Sequence, residues 1–259
     1  MIAMKINLKN LDKVLLSHAE KVLGEALQLR KEMISYRALI KKHKPAWERE
    51  VYELLKGYLG DLALLGKDSG RIGNPDAEWL CICDLFDGSL NFMCGLKYYA
   101  YSLALLHNRE AVYGFVVDLD KMTYYRAEKG CGAYIVRPNG VMSELREEAL
   151  RVPANFRAIT TNVIVKGLNS TEFRCTALEL CALARGAAEI GIGRSWTPEV
   201  AAGYVILRET GFEFMDWDFK PINRIPVTYE EIRFVSGSPK TIKELQAKIK
   251  SVNDIIVIV

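Results

Sequence analysis

Histidine is scarce in this chain: three residues in 259, at positions 18, 43 and 107. All three fall in helical or turn contexts away from the acidic motifs, so an imidazole general base has no support. Long apolar runs are missing as well. No segment approaches the ~18 residues of a membrane span. The opening MIAMKINLKN has no apolar stretch ending in a cleavage site, so a signal peptide is not expected. Excess charge of one sign is also lacking. With 35 Lys and Arg against 32 Asp and Glu, the net charge of +3 implies no pull toward nucleic acid or a membrane. The densest basic cluster, KKHK at 41–44, is followed at once by acids and reads as a solvated helix end. The six cysteines include a C-x-C at 81 and 83, but no second Cys or His pair answers it. That excludes a zinc framework and points to reduced thiols in a cytoplasmic protein. No repeat, low-complexity tract or linker is evident.

What is there is ordered punctuation. Leu11, Val14, Leu15, Ala19, Val22, Leu23 and Leu27 recur at helical spacing, so 9–40 reads as one or two helices. Pro45 interrupts, and a helical pattern resumes over 46–59. WLCIC at 79–83 is strand-like, short and bounded by turn residues. Residues 99–136 read as an antiparallel meander of three β-rich segments with HNRE, DLDK and EKGCG turns. Helices are expected at Thr176–Ala188, Pro198–Thr210 and Thr241–Lys250, the second with Pro at its start and Gly211 beyond its end. Helices first, a meander in the middle and mixed elements after give an α+β layered class.

The chemistry concentrates in CDLFDGSLNF, residues 83–92. Asp84 and Asp87 stand at the exit of a strand, where two carboxylates and an intervening carbonyl, from Leu85 or Phe86, can face one hard cation. Gly88 lets the chain bend closely, and the free N–H groups of Gly88 and Ser89 could meet an anion. Cation ligands beside an anion-binding turn are the parts of a phosphoryl-transfer site. Taken alone, D-x-x-D-G-S reads equally as a turn, since Asp, Gly and Ser are common turn residues.

The same stretch resembles the signature D-P-[IL]-D-G-[ST]-x-N-[FY] of the inositol monophosphatase family. PEVAAGYVILRETG at 198–211 is similar to the family's second motif, W-D-x-A-A-G with E-A-G after an apolar run. VYGFVVDLDKMTYYRAEKGCGAY and the ALELC helix at 177–181 match the stretches between, so the resemblance covers roughly residues 10–240. The wording is nearest the archaeal-type inositol monophosphatase and fructose bisphosphatase branch. The resemblance implies a layered α-β-α-β-α sandwich of the sugar phosphatase type, usually dimeric. One unit is expected, its N-terminal part about 1–140 and its C-terminal part about 150–259. It further implies Mg²⁺, with Asp84 bridging two ions, the Phe86 carbonyl on one, and Asp87 with a carboxylate of the second motif on the other. Gly88 and Ser89 would receive the phosphate, and the Ser89 hydroxyl would help Asp84 and the metal orient the attacking water. The implied ligand is a small phosphorylated metabolite.

Departures fall on that chemistry. Pro198-Glu199 replaces Trp-Asp, leaving Glu199 as a longer ligand. Where the family has Gly-Glu-Glu, this chain has Gly66-Lys67-Asp68. Asp68 could substitute as a ligand by a one-residue shift. The family's acid on the preceding helix is missing; Lys44 or a neighbour falls there, with Glu48 and Glu50 the nearest carboxylates. Two readings of Lys67 stay open: an ammonium replacing a metal ion, or a solvated loop residue beside one surviving ion. Arg194 reads as a surface loop arginine, and Trp196 and Trp217 read as packing residues. Arg174 stands where the family usually has a small Gly and could narrow the pocket or pair with an anion.

Overall fold

The computed structural model describes residues 8–146 and 157–257. Residues 1–7, part of the stretch read for a signal peptide, lie outside it, as do 147–156, which include the start of the expected C-terminal part, and 258–259. The order begins with α1 (Leu8–Lys31), a one-turn α2 (Tyr36–Ala38), a π-helical turn (Leu39–His43) and α3 (Lys44–Leu59). There follow β1 (Leu62–Gly66), β2 (Gly70–Gly73), β3 (Trp79–Asp87), α4 (Ser89–Met93), β4 (Ala100–His107), β5 (Glu110–Asp118), β6 (Thr123–Glu128), β7 (Gly132–Val136) and β8 (Met142–Leu145). Next come β9 (Arg157–Thr161), β10 (Ile164–Val165), β11 (Asn169–Thr171), α5 (Thr176–Ala184), β12 (Ile190–Trp196) and α6 (Thr197–Glu209). The described chain ends with β13 (Glu213–Met215), β14 (Glu231–Gly237), α7 (Pro239–Gln246) and β15 (Ile256–Val257).

Eight strands form one sheet in the order β2-β1-β3-β4-β5-β6-β7-β8, and five form a second, β11-β9-β12-β14-β13. Residues of α1 and α3 pack on one face of the larger sheet, where Leu11, Leu15, Trp47 and Val51 meet Cys81, Cys83 and Phe115. α5 and α6 lie between the sheets: Leu180, Val200 and Ile206 share a core with Ile82 and Val116 of the first and Phe234 of the second. α7 covers the far face of the second sheet through Ile242 and Leu245, against Ile190 and Val235. The layers run α-β-α-β-α. TALELCALA is buried along its whole length, as a helix enclosed by sheets on both sides must be. No described helix is long and apolar enough to cross a membrane.

Several boundaries differ from expectation. Pro45 does not interrupt a helix; the chain is helical without a break from Tyr36 to Leu59. Pro45 stands directly after the π-helical turn Leu39–His43, an irregularity of the kind that accompanies proline within a helix. HNRE, DLDK and EKGCG separate four strands, not three. The first turn is closed by Asn108 and Arg109, both left-handed (φ 50° and 65°), as a tight hairpin requires. α5 stops at Ala184 because Gly186 (φ 77°) turns the chain back on the helix end. α7 starts earlier than expected, at Pro239, capped by the Ser238 hydroxyl, which accepts from Thr241 N–H at 3.1 Å. Cys81, Cys83, Cys175 and Cys181 are buried free thiols, while Cys94 and Cys131 are exposed.

The strand that ends in the two acids is longer than WLCIC. In β3, Leu80 and Ile82 face the inter-sheet core and Cys81 and Cys83 the outer helices. Residues three apart on a regular strand point to opposite faces. Here the register against β4 shifts between Asp84↔Ser102 and Asp87↔Ala100, three residues opposing two. Leu85 and Phe86 then both enter the outer core, and Asp84 and Asp87 are delivered to the same side.

Candidate functional site

β3 ends at Asp87 and α4 starts at Ser89, with Gly88 between them in the left-handed region (φ 76°). A side chain there would meet the Tyr98 carbonyl at 2.7 Å, so only glycine fits both the conformation and the space. Asp84 is fully buried, and its Oδ1 accepts from Phe86 N–H at 3.2 Å. Asp87 Oδ2 accepts from Ala177 N–H, in the first turn of α5, at 2.8 Å and from the Cys175 thiol at 3.5 Å. Glu199, in the first turn of α6, completes the group: one carboxylate oxygen from each of Asp84, Asp87 and Glu199 lies within 4.8 Å of the others. Ser89 is buried beside them.

Two lysines fill the space among these acids. Lys67 follows β1, and its Nζ lies 3.1 Å from Asp84 Oδ2 and in close contact with Glu199 Oε1. Lys44, the first residue of α3, places its Nζ 3.1 Å from Asp84 Oδ1 and 2.8 Å from Asp68 Oδ2. The reading of Lys67 as a solvated loop residue is therefore corrected; only 26% of its side chain is exposed, and Lys44 is buried outright. Asp68 stands outside the three-carboxylate group and belongs to Lys44. Local electrostatics follow from that layout. Burial alone would lower Lys67, but Asp84, then Glu199 and Asp87, raise it well above the ordinary lysine range. Lys44 rises in the same way, against burial, through Asp84 and Asp68. Burial works to raise Asp84, but Lys44 and Lys67 hold it down to about 2. Asp87 has no ammonium of its own, and burial with the charges of Asp84 and Glu199 pushes it up to about 7.

Neighbouring groups hold these side chains in place. Glu48, one helical turn after Lys44, is fully buried and accepts from the N–H groups of Asp68 (3.2 Å) and Ser69 (2.6 Å). It thus braces the loop that carries Lys67. Burial, opposed by the Ser69 bond, leaves its carboxyl at about 7. Glu199 Oε2 accepts from Trp196 N–H at 3.0 Å and from the Ser195 hydroxyl. The family-like ALELC stretch contributes Glu179, which accepts from Phe173 N–H at 2.7 Å and from Thr161 Oγ1 at 2.5 Å. Burial pushes Glu179 up to about 7 from the ordinary 4.5. An acid raised on folding costs stability as pH climbs from its unfolded to its folded value, here between about 4.5 and 7. Glu179→Gln can keep both bonds, because the Thr161 hydroxyl can turn to accept. Urea unfolding of the variant and the parent across pH 4.5–8 is expected to show about 3 kcal/mol less loss in the variant. Parallel curves would exclude Glu179 as the titrating group.

The three-carboxylate donor set is of the kind a hard divalent cation takes, but the cluster as a whole does not fit one. Mg²⁺ needs oxygens at ~2.0–2.1 Å in an octahedral shell. Both Asp84 oxygens face ammonium groups, one Glu199 oxygen faces Lys67 and the other accepts two hydrogen bonds. A cation entering the group would have to expel Lys67, and it would still stand beside the buried positive charge of Lys44. The raised values of Asp87 and Asp68 bring the cluster toward balance with Lys44 and Lys67 already.

Other expectations are sorted by position. Trp217 is a packing residue, 3% exposed, but Trp196 is not: it is 43% exposed and stacks on Tyr229 with ring centroids 5.1 Å apart. Arg194 lies on β12, not on a surface loop, and its guanidinium is 3.7 Å from Glu231. Arg174, left-handed at φ 57°, pairs with Glu172 at 3.0 Å. Lys44 and Glu48 were legible only as a gap in a motif, and Ser195 and Tyr229 carried no signal at all.

A protein-family model described as the inositol monophosphatase family matches residues 13–254. The fructose-1,6-bisphosphatase/inositol-1-monophosphatase of Methanocaldococcus jannaschii is 25% identical over 156 residues, 57% of this chain and 60% of that one. The Nus factor SuhB of Haemophilus influenzae is 28% identical over 193 residues, 67% of this chain and 70% of that one. Among solved structures, inositol monophosphatase II of Staphylococcus aureus superposes with a TM-score of 0.74 at 19% identity, covering 94% of this chain and 93% of that one. That likeness concerns the fold.

Proposed function

Because this chain belongs to the inositol monophosphatase family, we propose that it binds a small sugar, polyol or related phosphate monoester, and hydrolyses it weakly or not at all. The observation that carries this reading is the pair of ammonium groups, Lys67 against Asp84 and Glu199, Lys44 against Asp84 and Asp68. They neutralise the acids as cations do, so a phosphate can approach without being repelled. The phosphate is expected at the N–H groups of Gly88 and Ser89, where the left-handed Gly88 turn leads into α4. An ammonium cannot take a water molecule as a ligand and lower its pKa, so the nucleophile that hydrolysis requires is not generated there. The names of the relatives, a fructose-1,6-bisphosphatase/inositol-1-monophosphatase and a Nus factor, support both a phosphorylated ligand and a role apart from turnover.

The second reading is slow Mg²⁺-dependent hydrolysis through Asp84, Asp87 and Glu199, favoured by the convergence of their oxygens within 4.8 Å. One experiment separates the two. Phosphate release from inositol 1-phosphate and fructose 1,6-bisphosphate is measured with Mg²⁺ beside an Asp87→Asn control, and binding of both esters is followed by calorimetry. Binding with turnover no higher than in the control is expected. Mg²⁺-dependent turnover at least about tenfold above the control, equal to ~1.4 kcal/mol of transition-state stabilisation, would establish the hydrolase instead.

A further inference from the structure

A cavity of about 210 Å³ lies at the far end of α6 from the ammonium cluster, where the last turns of that helix meet the start of β5 and residues 223–224. It is smaller than the roughly 300–1,000 Å³ of drug-sized pockets, so it suits a ligand of few atoms. Glu199 stands in the first turn of α6 and Arg208 in its last, about 13.5 Å further along the axis at the helical rise. The cavity shares no residue with the cluster.

Three cations and two acids line this cavity, and both acids are already engaged. Glu110 pairs with the Lys129 ammonium, and Glu209 accepts from the N–H groups of Gly130 and Gly132, each at 3.0 Å. The side chains of Arg208 and Arg224 make no ion pair or hydrogen bond among the described residues. Tyr204 is 6% exposed, and its hydroxyl has no hydrogen-bond partner there either. A buried hydroxyl left unpaired is costly, and this one can be satisfied only from the cavity. Its direction follows from its surroundings: burial raises the phenol, Arg208 lowers it and Glu110 raises it, and both charges belong to the same wall. Lys129, and after it Arg224, hold the Glu110 carboxyl low, which places the Arg224 guanidinium at this wall as well.

Unpaired donors from two separate elements thus meet in one small space: a guanidinium and a phenol from α6, a second guanidinium and the Asn223 amide from the segment before β14. A planar carboxylate is satisfied by a single guanidinium fork, whereas a tetrahedral phosphate presents several oxygens and accepts from many sides. The C-terminal pole of α6 works against an anion, but that effect is screened at the surface and is smaller than the pull of two guanidinium groups. We propose that this cavity is a second anion site, which takes the phosphate group of a small ester or free inorganic phosphate on Arg208, Arg224 and Tyr204. It stands apart from the ammonium cluster and from the function proposed for it, and its residues take no part in bond breaking.

The test is calorimetric titration of the full chain, of Tyr204→Phe and of the double variant Arg208→Gln/Arg224→Gln with inorganic phosphate, glycerol 3-phosphate and acetate. The double variant is expected to bind one phosphate fewer per chain than the parent. Tyr204→Phe should keep the site and weaken it about tenfold, the contribution of one hydrogen bond to a charged group. Both arginines are exposed and Tyr204→Phe removes a single oxygen, so the variants are expected to melt with the parent, which the same samples verify. Tighter binding of glycerol 3-phosphate than of inorganic phosphate identifies an ester as the ligand, and equal binding the free ion; either upholds the site. Acetate that binds this site as tightly as phosphate would overturn the phosphate assignment. Equal numbers of phosphates on the parent and the double variant would overturn this inference and leave the proposed function standing. One phosphate on the parent and none on the double variant would uphold it and count against the proposed function. Failure of phosphate and its ester to bind the parent would overturn both.

Discussion

Lys67→Glu is expected to lower the melting temperature by about 6–15 °C in metal-free buffer, and Mg²⁺ is expected to restore most of that loss in the variant alone. The ammonium of Lys67 is the direct partner of Asp84 and Glu199, and Asp84 is wholly buried. Removing one member of a buried ion pair costs about 3–5 kcal/mol, because the remaining charge stays desolvated without compensation. The substitution goes further and adds a fourth acid beside Asp84, Asp87 and Glu199. A divalent cation is the natural remedy for such a cluster, and ligand binding to the native state raises stability by mass action. The parent should be indifferent to Mg²⁺, since its own ammonium groups already neutralise these carboxylates. Differential scanning fluorimetry of both proteins with EDTA or Mg²⁺ reads the result. Equal stabilisation of the parent by Mg²⁺ would show that Lys67 leaves the cluster readily, and the displaced-cation account would be lost.

Lys44→Met is the second large effect. Lys44 is 2% exposed, and its ammonium neutralises Asp84 and Asp68 from the side opposite Lys67. Methionine preserves most of the volume but leaves that side of Asp84 uncompensated, so a loss of about 3–5 kcal/mol at neutral pH is expected. The pH dependence distinguishes charge from packing. In the parent, Asp84 is held down to about 2 against an ordinary 3.8. Its contribution is therefore present above about 3.8 and lost as pH falls through about 2. The contribution of Lys44, a raised base, is fully present below the ordinary lysine value of 10.5 and is lost only as pH rises beyond it. In the variant, burial dominates Asp84 and raises it, so stability should fall as pH climbs from the carboxylate range. The gap between parent and variant should then widen from pH 4 to pH 7 in chemical unfolding. A gap constant across that range would mark the loss as one of packing.

Much of the fold was legible because its signals are local. WLCIC reads as a strand because it is short, apolar and bounded by turn residues. An all-apolar run is what a strand with both faces buried requires, and both are buried here, Leu80 and Ile82 on one side and Cys81 and Cys83 on the other. The turn residues of the meander and the Pro and Gly at the ends of α6 mark element boundaries to within a residue or two. Pro45 misled, since proline usually breaks a helix, and here the helical run from Tyr36 to Leu59 continues past it through a local π-helical turn that no residue type announces. The bulge between Asp84 and Asp87 was invisible for a related reason: it is a property of the pairing of β3 with β4, not of either strand.

The site divides in the same way. D-x-x-D-G-S announced two carboxylates by their own chemistry, and the resemblance to the family's second motif added the Glu at the start of α6 as a third. The sequence by itself determined that two acids stand at the end of β3 and that a glycine turn follows, and set beside the family's motif it showed a lysine where that motif has a glutamate. The direction of that lysine was decided elsewhere. Lys67 and Glu199 are 132 positions apart, and Lys44 reaches Asp84 from the start of a different helix. An ammonium turns inward only where folding has gathered enough buried negative charge to outweigh its lost hydration. Only the tertiary structure brings that charge together.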